Sequence, residues 1–144
     1  MKKTLSAIHI LLALSLGAYA QVENTQTLSQ LRRDYNQVGI VAHVKIKSIK
    51  LAAQDIHPLY VVESEIIEPL KGRIKRGQRL EFYLHAEEEY DVNRFLGERI
   101  VFLEGEHPVP NGGKGWYELE NSSLHLSKIN IAKMRKIKNA RKRD

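Results

Sequence analysis

Cysteine is absent from all 144 residues. Without it no disulfide staples the chain, so the fold must be held by an apolar core. A lipid anchor is excluded as well, because it needs a cysteine as the first residue after processing. Long apolar runs are equally scarce. Past the first twenty residues nothing approaches the ~20 apolar residues that a spanning helix needs. Serine occurs without a glycine-flanked nucleophile turn, Ser122 and Ser123 included. The "NGGKG" stretch lacks the spacing and the following Ser/Thr of a phosphate loop. His43, His57, His85, His107 and His125 show no i, i+3 or i, i+4 pairing, so no metal site is local in sequence. No repeat or low-complexity tract is visible.

The opening residues are the first positive signal. Lys2 and Lys3 precede an apolar run from Ala7 to Leu16, and Ala18-Tyr19-Ala20 is a small-x-small cleavage signal. This predicts a secretory signal peptide over residues 1–20, cut after Ala20. The exported chain is then expected to be periplasmic or extracellular, not a lipoprotein and not membrane-spanning. Its length fits one domain, residues 21–127, followed by a basic segment, 128–144. Charge divides the same way. Residues 21–127 carry 13 Lys/Arg against 16 Asp/Glu, whereas 128–144 carry eight bases against Asp144 alone.

Hydrophobic periodicity predicts a mainly β chain. Thr27 is placed to cap a short helix with Leu28 and Leu31 facing inward. In "GIVAHVKIKSIKL", Ala42, Val44 and Ile46 share one face and His43, Lys45 and Lys47 the other. The phase slips at Ile49 and Leu51, which predicts a bulge. A second strand starts at Pro58, alternates through Tyr60, Val62, Ser64 and Ile66, and stops at Pro69. A third covers Arg79–Leu84. A short helix with Val92, Phe95 and Leu96 ends at Gly97, a fourth strand spans Arg99–Glu104, and a fifth Trp116–Leu119. A last helix begins near Ser127, with Ile131, Met134 and Ile137 on one face. Five strands, the first long and bent, suggest a small closed barrel filled by Val44, Ile46, Val62, Ile66, Leu80, Phe82, Val101 and Leu103.

Over residues 28–120 the segments "VGIVAHVKIKSI", "LYVVESEIIEPLKG", "RGQRLEFYL" and "FLGERIVFLEG" resemble bacterial netrin-like, or tissue-inhibitor-of-metalloproteinase-like, secreted domains. Leu70-Lys71-Gly72 and Gly97 through Leu103 carry the likeness most specifically. The resemblance implies a five-stranded OB-type barrel with a short N-terminal helix, a helix before strand 4 and a C-terminal helix. The eukaryotic inhibitors it resembles chelate their target's zinc through an N-terminal cysteine. Gln21 stands there in this chain, so that chemistry has no residues to carry it.

Two basic segments are candidate anion sites. One is the corner Lys71, Arg73, Lys75, Arg76 and Arg79. The other is the C-terminal set Lys133, Arg135, Lys136, Lys138, Arg141, Lys142 and Arg143, with the chain beyond Ile137 expected to stay mobile. Against the first stands an ordinary turn with Glu63, Glu65, Glu68 and Glu81 as charge partners. Against the second stands a solvated helix end. His85 beside Glu87, Glu88, Glu89 and Asp91 reads as an acidic loop, and Asn121-Ser122-Ser123 as a chance sequon. Nucleic-acid binding would need aromatics on exposed strands, and most of Tyr60, Phe82, Tyr83 and Trp116 lie in core phase. The chain therefore reads as an exported, non-catalytic binding module without metal or cofactor, whose partner is an envelope protein or an anionic surface. The alternatives are a peptidase-inhibitor-like action of the N-terminal segment, polyanion binding by the basic tail, and an enzyme site assembled from distant residues.

Overall fold

The computed structural model describes residues 26–86, 91–119, 124–125 and 128–142. The predicted signal peptide, Gln21, Glu87–Glu89, the Asn121–Ser123 sequon, Ser127 and Arg143 lie outside them. In chain order the elements are α1 (Leu28–Gln37), β1 (Ile40–Ala53), β2 (Leu59–Lys71), β3 (Arg79–His85), one 3₁₀ turn (Val92–Phe95), β4 (Gly97–Pro108), β5 (Lys114–Glu118), β6 (Leu124–His125) and α2 (Lys128–Ala140).

The protein is mainly β. β1 pairs with both β2 and β4, and the order β1-β2-β3-β5-β4 returns to β1, so five strands close in a ring. The β3–β5 pair is parallel and the others antiparallel, while β6 adds two residues along β4. All eight residues expected to fill the interior do so, joined by Ile40, Ala42, Leu84, Ala86 and Phe95. The phase slip in β1 is real: its register with β2 shifts between Ile46 and Ser48.

A second core lies outside the ring. Val41, Leu70, Ile100 and Phe102 point away from the interior and meet Leu31, Tyr35 and Val38 of α1 and its exit, and Met134 and Ile137 of α2. Both faces of β1 and β4 are therefore covered here. That is why "IVAHV" and "IVFL" are buried without a break, and apolar but for His43. α1 starts with a capping box, Gln30 N–H donating to Thr27 Oγ1 and Thr27 N–H to Gln30 Oε1.

Several expectations are corrected. Pro69 does not stop β2; it pairs with Ala42 where the register shifts, and a bulge tolerates a missing N–H. The helix before β4 is a single 3₁₀ turn, and Leu96 after it is exposed. β4 runs past Glu104 to Pro108, and β5 starts at Lys114. His43 is not on a solvent face: it is buried, with Nε2 3.0 Å from Glu98 Oε2. α2 continues beyond Ile137 to Ala140. Among the described residues no helix is long and apolar enough to cross a membrane.

Candidate functional site

The helices cover one side of the ring and leave the outward face of β2, β3 and β5 open. Alternation puts Leu80, Phe82 and Leu84 inside, so Glu81, Tyr83 and His85 of β3 face outward. Tyr83 is the partner of Tyr117 in the parallel β3–β5 pair. Their rings stack at 5.3 Å and 24°. His85 lies over the same Tyr117 ring at 6.0 Å, and His107 of β4 meets it edge-on at 5.6 Å. Four side chains from three strands thus form one aromatic strip around Tyr117.

The β4–β5 hairpin holds the strip in place. Gly112 N–H donates to Val109 O and Val109 N–H to Gly113 O, and the Tyr117 hydroxyl donates to Pro108 O at 2.8 Å. Gly115 is required for space: a Cβ there would lie 3.0 Å from the Tyr83 ring and 2.7 Å from Val109. Burial, and then the neighbouring Tyr83, push the Tyr117 phenol above its ordinary pKa.

Beside the strip is a shallow depression of about 340 Å³, lined by Lys50, Leu51, Val61, Glu81, Tyr83 and Asn111 among others. It offers an ammonium, a carboxylate, an amide and an aromatic wall, the means to hold a polar ligand by stacking and hydrogen bonding. Farther along the face, charges form pairs across strands. Lys47 meets Glu65 at 3.1 Å, and Arg79 and Lys50 meet Glu63 at 2.9 and 3.8 Å. These cations offset the like-charge opposition of Glu63 and Glu81, which are direct partners.

The structure splits the basic corner. Lys71 turns inward, and its ammonium donates to the carbonyls of Tyr35 (2.6 Å), Asn36 and Val38, closing the C-terminus of α1. The structure thus places Lys71, expected in an anion site, with its ammonium on backbone carbonyls. Burial, then Arg141, lower the Lys71 pKa below the usual amine range. Leu70 enters the second core and its carbonyl accepts from the Tyr35 hydroxyl. Gly72 has φ +99°, and a Cβ there would strike Gly39 O at 2.9 Å. Each residue of Leu70-Lys71-Gly72 thus has a structural task. Arg79 pairs with Glu63, whereas Arg73, Lys75 and Arg76 are exposed on the β2–β3 turn.

The C-terminal bases are also divided. Arg135 grips Glu68 through Nε at 3.2 Å and Nη2 at 2.8 Å. Lys138 donates to Pro69 O, Arg141 to Asn36 Oδ1 and Lys133 to Gln26 O. These four tie α2 to the body; Lys136 and Lys142 remain exposed. The two basic segments approach each other at Tyr35, whose ring lies 5.1 Å from Lys71 Nζ and 5.8 Å from Arg141 Cζ.

Tyr117, His107, Asn111 and Gly115 were not singled out by sequence reasoning, and His85 was assigned to an acidic loop. The only hint was the aromatic pair Trp116-Tyr117 in a short alternating strand, one ring bound to face out. A scan against protein-family models finds no match, and a search of curated proteins finds no similar sequence.

Proposed function

We propose that the protein is an exported, non-catalytic binding module of the netrin-like OB type, holding its ligand on the open face around Tyr117. The strand order β1-β2-β3-β5-β4, closed by a parallel β3–β5 pair, supports an OB-type barrel. The structural tasks of Leu70-Lys71-Gly72 support the netrin-like reading. The observation that carries the function is the aromatic strip. Tyr83, His85 and His107 meet around Tyr117; Tyr83 is buried beneath it, so the accessible edge is the partly exposed Tyr117 with the exposed His85 and His107. In such barrels the face of strands 2 and 3, with the loops at its end, is where ligands lie. Export makes an envelope or extracellular molecule the partner, with no nucleic acid involved.

Amide NMR of the exported protein, titrated with fractionated envelope oligosaccharides and peptides, tests this. Shifts at Tyr83, His85, Gly115 and Tyr117 are expected, with loss of binding in Tyr117→Ala and an unchanged fold. Ligand-induced shifts confined to Arg73–Arg76 or α2 would move the site elsewhere. Mass spectrometry of the secreted protein should find a chain starting at Gln21; an intact Met1 start would refute export by cleavage.

A further inference from the structure

α2 has two basic populations, and only one is used within the molecule. No Asp or Glu occurs from Lys128 to Ala140, so every charge on the helix is positive. Its inner side is fixed by Met134 and Ile137, and its flanks by Arg135 on Glu68, Lys138 on Pro69 O and Arg141 on Asn36. The opposite side is thereby held outward in one orientation. There Lys128, Ile129, Ala132, Lys133 and Lys136 line a shallow depression of about 440 Å³. Ile129, 55% exposed, is the large aliphatic side chain in its lining.

We infer that this strip docks on an anionic lipid surface. The chemistry of the rim selects that occupant. Among the described lining residues there is no carboxylate; Lys128 and Lys136 flank the apolar centre, and lysine stems lie along apolar surface while their ammonium heads reach outward. Ile129 enters between headgroups while Lys128 and Lys136 meet phosphates, as in helices that lie in the plane of a membrane interface. Lys133 contributes its stem as a wall, its ammonium being held by Gln26 O at 3.1 Å. The depression is shallow and all its charge has one sign, which suits a planar charged surface better than a shaped protein knob. With one aliphatic residue and few bases the attachment is reversible and salt-sensitive.

Absence of cysteine permits a direct test. Ile129→Cys, labelled with a polarity-sensitive fluorophore, is mixed as the exported protein with vesicles of phosphatidylcholine, with or without phosphatidylglycerol. The expected result is a blue shift on the anionic vesicles only, reversed at high salt. In co-sedimentation of unlabelled protein, Lys128→Glu with Lys136→Glu should weaken binding by about twenty-fivefold or more, from roughly fivefold per base. Tyr117→Ala should leave it unchanged, which separates this surface from the open face. Equal binding to neutral vesicles would overturn the inference. So would retained binding by the double variant, or binding lost only on reversing Arg73, Lys75 and Arg76. Equally effective competition by soluble polyglutamate would assign the strip to an acidic protein instead.

Discussion

The two outer sides of the ring are built from neighbouring strands, β1, β2 and β4 on one side and β3 and β5 on the other, and are treated differently. On the helix side, outward positions are Val41, Leu70, Ile100 and Phe102, and α1 and α2 bury them. On the open side they are Glu81, Tyr83, His85 and Tyr117: the β4–β5 hairpin buries Tyr83 to 7% exposure, Tyr117 is partly exposed, and Glu81 and His85 are exposed. Aliphatic surface gains only from leaving water, so it recruits a cover. Rings with polar handles remain stable half-exposed and keep a directional contact to offer. The helix side is closed as architecture, and the side left partly exposed is the one we propose for recognition.

The sharpest way to break this contrast is Phe102→Ala. Phe102 is fully buried between β4 and the helices, so its loss should cost about 3–5 kcal/mol. Chemical denaturation should show this, while Tyr117→Ala costs well under half as much. Next is Lys71→Met, which keeps the stem but strips the ammonium from three carbonyls. A loss of about 2 kcal/mol is expected, with hydrogen exchange accelerated in the last turn of α1. Gly115→Ala should cost about 1 kcal/mol by crowding Tyr83, and the chemical shifts of the Tyr117 ring should move with it.

The smallest effect tests the tie between α2 and the sheet. The hydrogen bond from Arg135 lowers the Glu68 carboxyl pKa; burial opposes this, and the charges of Arg135, Lys138 and His43 add to the lowering. A carboxyl depressed in the folded state stabilises it above the unfolded value near 4.5, and that contribution vanishes as pH falls through the folded value. Glu68→Gln should therefore lower the melting temperature slightly near neutral pH, by less than ~1 kcal/mol equivalent. The gap from the parent should close in acid. A gap that persists at pH 2–3 would mean that the carboxylate charge is not what holds α2.

Alternation made the interior legible, because period 2 in β1, β2 and β3 names the inward residues directly. The bulge was legible as a slipped phase. The second core was only hinted at: the unbroken apolar run "IVFL" marks a strand covered on both faces, but what covers it is known only once the helices are placed. The fates of Lys71, Lys133 and Lys138 were hidden for a related reason: their partners are backbone carbonyls, which every sequence has everywhere. Tyr117 escaped because its stacking partner lies 34 residues away, at Tyr83, on a strand reached only through a parallel pairing. Contacts that depend on topology have no local signature.

Ring closure also fixes how the chain must assemble in time. Ile40–Ile46 find their second partners in Gly97–Leu103, 51 to 63 residues later, and Tyr83 waits for Tyr117. Loop entropy is spent before either pairing returns any energy, which places the domain among slow folders rich in sequence-distant contacts. A chain crossing a membrane amino terminus first would present β1 to β3 with both seams unzipped until β4 and β5 arrive. During that interval the strand edges are open to other chains, so chaperone dependence should be set by translocation speed.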